Sequence, residues 1–135
     1  MSITAFTRPL TGPVEYFRTK LEYEIAPAVL KKLLDRMPNN VCVLDVRDAA
    51  QYDAGHIPGA RSVPSGALVS SFYTLPKDKA IVTYSADLAC GRSPQAALEL
   101  AQKGFQVQHL IGGFAEWGRR GFPIEMSPSA PSQAW

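Results

Sequence analysis

Between Thr83 and Ser93 the chain reads Thr-Tyr-Ser-Ala-Asp-Leu-Ala-Cys-Gly-Arg-Ser, which sets two nucleophile types, Ser85 and Cys90, close to one guanidinium, Arg92. The apolar run Ala80-Ile81-Val82 precedes this segment, and Pro94–Ala101 carries helical spacing after it. The segment is therefore a loop joining a strand to a helix. Ser93 suits an N-cap, because its hydroxyl can accept a bond from a free N–H of the first turn. Pro94 fits the first helical position, where a missing N–H costs nothing. Such a loop turns unpaired N–H groups and the positive end of a helix dipole toward one small volume, which suits an anion. Ala86, Asp87, Leu88, Ala89, Gly91, Arg92 and Ser93 are the candidate anion-binding residues. A thiol at Cys90, beside Arg92 and a helix start, ionises more readily than a free cysteine. The chemistry on offer is that of a thiolate, or of a bound anionic substrate.

The elements that must hold this loop alternate. Leu21–Ile25 alternates apolar with charged residues and predicts a half-buried strand, with residues 1–20 as an N-terminal arm ending in a turn near Glu15–Phe17. Ala26-Pro27 opens a helix with Val29, Leu30, Leu33, Leu34 and Met37 at helical spacing. Val41–Val46 is a continuous apolar run rich in β-branched residues, as in a strand covered on both faces. A short helix at Asp48–Asp53 closes at Gly55. The turn His56–Ala60 and the short strand Arg61–Pro64 follow, with a helix over 66–73. After the strand at 80–84 and the helix at 94–102, Gly104 supplies a C-cap. A strand at Phe105–Leu110 and a last helix opened by Gly112-Gly113 complete the domain at residue 125. Residues 126–135 read as a mobile Pro/Ser-rich tail. The pattern predicts an α/β fold with a mainly parallel sheet. Ligands of such sheets bind beyond the carboxyl ends of the strands, where the 85–93 loop lies.

Composition excludes several classes. The chain has 135 residues, 46% hydrophobic and 19% charged, which describes one globular domain. The net charge is +2 and the basic residues are scattered, so nucleic-acid binding gets no support. No apolar run is long enough for a membrane span, and the N-terminus lacks the apolar core of a signal peptide. The two cysteines, Cys42 and Cys90, make no disulfide framework, and a cytoplasmic location is expected. His56 and His109 lie far apart with no paired ligand at metal spacing, so no metal and no cofactor are expected.

Three stretches resemble one family. Leu44-Asp45-Val46-Arg47 with Tyr52, followed by Gly55-His56-Ile57-Pro58-Gly59-Ala60, is similar to the first signature of rhodanese-like domains. Gly112-Gly113-Phe114-Ala115-Glu116-Trp117 with Gly121-Phe122-Pro123 resembles their closing signature, and the similarity spans roughly residues 22–125. The resemblance implies a small α/β domain whose active-site cysteine takes sulfane sulfur from a donor such as thiosulfate. That cysteine becomes a persulfide and passes the sulfur to a thiophilic acceptor. In active members the cysteine directly follows the strand, where this chain has Ser85 after Tyr84. The loop is also longer by two residues, and Cys90 resembles the second cysteine that some long-loop relatives carry. A serine hydroxyl barely ionises at neutral pH and has no sulfur-carrying state comparable to a persulfide. With no general base beside it, Ser85 is also a poor nucleophile for acyl chemistry.

Two function classes follow. One is a sulfurtransferase or persulfide carrier acting through the 85–93 loop and Cys90, with a small sulfur-containing anion and a thiol acceptor as partners. The other is a catalytically inactive module of the same fold that binds an anion or a protein. Phosphatase chemistry is disfavoured, because Cys90 and Arg92 are too close in sequence to cradle a phosphate between them. Asp45 and Arg47 are expected to pair and fix the strand end. Arg92 has two readings, an anion ligand or a salt bridge to Asp45 or Asp87. Cys42 belongs to the core, as do Phe114 and Trp117, and His56 is expected to bond to backbone within its Gly-Pro turn. Tyr84 and Tyr73 are candidates for the mouth of the site.

Overall fold

The computed structural model describes residues 12–128, so the expectations for the first eleven residues and for the end of the tail lie outside the described part. In chain order the elements are α1 (Pro13–Tyr23), β1 (Glu24–Ile25), α2 (Pro27–Arg36), β2 (Val41–Asp45), α3 (Ala49–Ala54), β3 (Arg61–Ser62), α4 (Leu68–Ser71), β4 (Ala80–Tyr84), α5 (Arg92–Gln102), β5 (Val107–Leu110) and α6 (Gly113–Arg119). Five strands pair in the order β1-β5-β4-β2-β3, every neighbour parallel. The α/β class and the parallel sheet agree with the sequence pattern.

Alternation along the strands divides the core. Val41 and Val43 of β2 and Val82 and Tyr84 of β4 pack with Leu30, Ile57 and Trp117 on one face. Cys42, Leu44 and Ile81 pack with Leu68, Ala96, Leu100 and Phe105 on the other. A sheet covered on both faces needs such uninterrupted apolar strands. Local chemistry sets the helix ends. Asp48 and Gln51 form a reciprocal capping box at α3. Gly104, at φ +89°, ends α5 with paired bonds from Gly104 N–H to Ala101 and from Phe105 N–H to Leu100, a Schellman closure.

Three expectations need correction. Residues 21–23 are helical: α1 covers Pro13–Tyr23 and leaves only Glu24–Ile25 as strand. Val14, Phe17 and Leu21 lie at helical spacing, Pro13 opens the helix, and the Glu15–Arg18 (3.0 Å) and Lys20–Glu24 (2.7 Å) pairs follow the same period. The segment at 66–73 is a composite, with 3₁₀ turns at Ser65–Ala67 and Phe72–Thr74 around the single α turn of α4. Helix α5 begins at Arg92, with Gly91 rather than Ser93 as its N-cap. The Ser93 hydroxyl instead lies 2.9 Å from that of buried Thr83. Pairing two buried hydroxyls outweighs an exposed cap, because an unpaired one costs more than the cap supplies.

No residue of α1 is buried. Replacing Val14, Phe17 and Leu21 together by serine should therefore lower Tm by less than about 5 °C, because exposed positions contribute little. A larger drop in a thermal melt would show that the apolar stripe of α1 packs on a partner.

Candidate active site

The loop leaves the carboxyl end of β4, the middle strand of the sheet, and is clamped on its outer side by α6. Phe114 N–H donates to the Ser85 carbonyl (2.9 Å) and Ala115 N–H to that of Ala86 (2.9 Å). With these carbonyls held outward, the amide of Ala86 turns toward Cys90. This approach requires Gly113, at φ +61°: a Cβ there would stand 2.5 Å from the Ser85 oxygen. Gly113→Ala should cost about 2–5 kcal/mol, from left-handed strain plus overpacking, as read from urea denaturation. An unchanged midpoint would show the clamp to be slack.

Within the loop the Asp87 carboxylate accepts the N–H groups of Ala89 (3.0 Å) and Cys90 (3.1 Å), folding the chain into a side-chain-closed turn. That turn brings Cys90 to the same small space that Ser85 lines. The Cys90 thiol lies below its ordinary range. The Arg92 N–H is the main cause and the Ser85 hydroxyl the second, while burial opposes them and the Ala86 N–H adds support. Cys90 is half-buried, whereas Ser85 is 1% exposed. Cys42 is buried on the α4–α5 face, and burial raises its thiol, with Arg61 and Lys79 opposing. The two cysteines thus occupy opposite chemical settings.

Arg92 points elsewhere. Its guanidinium lies 3.0 Å from Asp48, an exposed pair, and neither Asp45 nor Asp87 is its partner. Sequence distance conceals Asp48, yet the signal was present: both residues follow the carboxyl ends of adjacent parallel strands, β2 and β4. Asp45 and Arg47 do pair, at 2.6 Å, and are buried, at 0% and 5% exposed. The Tyr84 hydroxyl donates to Asp45 (2.7 Å) and accepts from Ile57 N–H (3.1 Å). Arg47 donates to the Gly55 carbonyl (2.6 Å) and lies 4.2 Å from the centre of the Phe114 ring. Tyr84 is therefore a frame residue and not part of the mouth; burial and the Asp45 charge hold its phenol well above the usual range. Tyr73 is 96% exposed and lines no part of the loop's cavity. The backbone partner of His56 is the Tyr52 carbonyl (2.7 Å), on α3 rather than within its own Gly-Pro turn, and the ring lies 3.2 Å from Glu125, tying the turn to the segment after α6.

Around Cys90 the enclosed space is about 20 Å³, between the loop, Ser93-Pro94 and Gly112. Among the described residues no cluster of three His, Cys, Asp or Glu side chains has metal-binding geometry, and no helix is long and apolar enough to cross a membrane.

The chain is thus a parallel α/β domain with a half-buried thiol in the loop after its middle strand. The family model for the rhodanese-like domain matches residues 26–120, and the chain belongs to that family. It is 36% identical over 86 residues to a sulfurtransferase of Allochromatium vinosum, covering 63% of this chain and 78% of that one. It is 34% identical over 90 residues to the HTH-type transcriptional regulator Rv0324 of Mycobacterium tuberculosis, covering 67% of this chain but only 40% of the regulator. The BH2092 protein of Bacillus halodurans superposes with a TM-score of 0.80 at 33% identity, over 90% of both chains.

Proposed function

We propose that the domain accepts sulfane sulfur on Cys90 and holds it as a persulfide for delivery to a thiol, with Ser85 as a hydrogen-bond donor to that sulfur. The observation that carries this reading is the placement of Cys90 with Ser85, Ser93 and Pro94 around one small space at the start of α5, where the Arg92 N–H, the Ser85 hydroxyl and the Ala86 N–H hold the thiol below its ordinary range. The thiolate attacks the outer sulfur of thiosulfate, the S–S bond of the donor breaks, and sulfite leaves with the electron pair. An acceptor thiolate then attacks the terminal sulfur, forms its own persulfide and releases the Cys90 thiolate. Donors matched to a thiolate also suit the persulfide anion that replaces it.

Incubation with thiosulfate, followed by intact-mass and peptide analysis, should place one added sulfur atom on Cys90. Absence of that mass with both thiosulfate and a small-molecule persulfide donor would reject the reading. Ser85→Ala removes a hydroxyl that favours the thiolate, so the pH midpoint of Cys90 alkylation should move upward. An unmoved midpoint would show that the hydroxyl does not serve the sulfur.

The second reading is a catalytically inactive module that binds an anion or a protein partner. Ser85 favours it, because a buried hydroxyl stands at the strand end where active members carry the cysteine, and a hydroxyl cannot hold sulfur as a persulfide. Thiosulfate that raises Tm without ever adding sulfur would select this reading.

A further inference from the structure

Beside the loop lies a cleft of about 500 Å³ that the chemistry at Cys90 does not use. Its floor is apolar, with Pro27, Ile111 and Ala115, and Leu88, 78% exposed, overhangs it from the loop. Asp87, Leu88 and Gly112 line both this cleft and the small space around Cys90, so the two lie side by side. At the far end stand Arg119 and Arg120, on the last turn of α6 and just beyond it. Both guanidiniums share a single carboxylate, Glu116, at 3.5 and 3.0 Å. That end therefore carries an uncompensated positive charge. The acidic residue at the loop end, Asp87, is committed to the N–H groups of Ala89 and Cys90. The cleft is thus polarised along α6, whose seven residues span about 10 Å.

We infer that this cleft receives the sulfur acceptor and selects a small peptide-like thiol whose carboxylate is bound by Arg119 and Arg120. The inference rests on the persulfide reading for its biological sense, but the site itself is defined by geometry. A ligand lying along the cleft puts its sulfur near Cys90 and its carboxylate roughly 10 Å away, on the guanidinium pair. A cleft of this volume suits a ligand of that size. Arginine is the side chain that holds a carboxylate in two-point geometry. The transfer is the exchange written above, in which the acceptor thiolate bonds the terminal sulfur and the Cys90 thiolate leaves, so no oxidant is needed.

The test separates this inference from persulfide carriage. In a Cys42→Ala background, Cys90 is loaded with a neutral thiopyridyl mixed disulfide, and its release is timed with glutathione and with glutathione dimethyl ester. Each rate is divided by the rate of the same thiol with a small-molecule thiopyridyl disulfide. The native cleft should prefer glutathione over the ester, and Arg119→Glu with Arg120→Glu should cut that preference about tenfold. Both side chains are at least half exposed, so the variant should stay folded, with Tm lowered by only a few degrees for the lost Glu116 pairs. Lys77→Glu with Lys79→Glu changes the net charge equally at the opposite end of β4 and should leave the preference intact. A preference that survives the arginine reversal, or that falls equally with the lysines, overturns the inference. Charge-selective exchange in a protein that never takes up sulfur would uphold the site and reject the carrier reading. Sulfur uptake without selectivity would do the reverse.

Discussion

In Cys90→Ser protein, uptake of sulfur from thiosulfate should fall to background while the fold and Tm stay near native. The side chain is half-buried and loses one sulfur atom in exchange for an oxygen, so packing changes little. The chemistry changes completely. A hydroxyl in the same ring of donors is not deprotonated at neutral pH, and it cannot make and break an S–S bond. Cys42 cannot substitute, because it is buried and burial holds its thiol above the usual range. Intact mass before and after thiosulfate, run in parallel on native, Cys90→Ser and Cys42→Ala proteins, gives the comparison. Sulfur retained by the Cys90→Ser protein would place the chemistry elsewhere and remove the assignment made above.

The contrast between the thiols was legible in sequence because each sits in a context with a strong local signature. Cys42 lies within five consecutive buried residues of β2, and no exposed position interrupts that run. Cys90 lies between a strand and a helix start, where N–H groups have no partner in regular structure. The Asp45–Arg47 pair was also readable, being two residues apart at the end of a buried strand. What sequence missed depends on fold-wide competition. Ser93 has the residue type of a cap, but Thr83 on the buried strand needs a hydroxyl partner and takes it. Arg92 meets Asp48 because β2 and β4 run side by side, and no local pattern shows which carboxylate stands nearest.

Helix α1 was hidden for a different reason. Pro9, Gly12 and Pro13 suggested an irregular arm, although proline at the first helical position starts helices rather than breaking them. The alternation at Leu21–Ile25 then imitated a strand. Leu21 belongs to the earlier stripe with Val14 and Phe17, all three exposed. The family model begins at residue 26, so the helix precedes the part of the chain that the family model matches.

Breaking the buried ion pair should be the most damaging change to stability. Asp45 is 0% exposed, and Arg47 meets it through Nε (3.0 and 3.1 Å) and Nη2 (2.6 Å). Arg47→Met would leave a buried carboxylate with the Tyr84 hydroxyl and one backbone N–H as partners. Such an unpaired charge costs about 3–5 kcal/mol, which in a domain of this size lowers Tm by roughly 10–20 °C. Asp45→Asn alone should be milder, since the amide oxygen keeps the tyrosine bond. Combined with Arg47→Met it removes the stranded charge, so the double variant should be at least about 1 kcal/mol more stable than the two single losses sum to. The same network joins the ends of β2 and β4 to Gly55, Ile57 and Phe114, the residue whose N–H clamps the loop at Ser85. Alkylation of Cys90 in the folded fraction of Arg47→Met should therefore be slower than in the native protein, as the donors around the sulfur loosen. Strict additivity in the cycle would mean that the pair is not the source of the stability. Native alkylation kinetics in the folded variant would mean that the frame does not set the reactivity of Cys90.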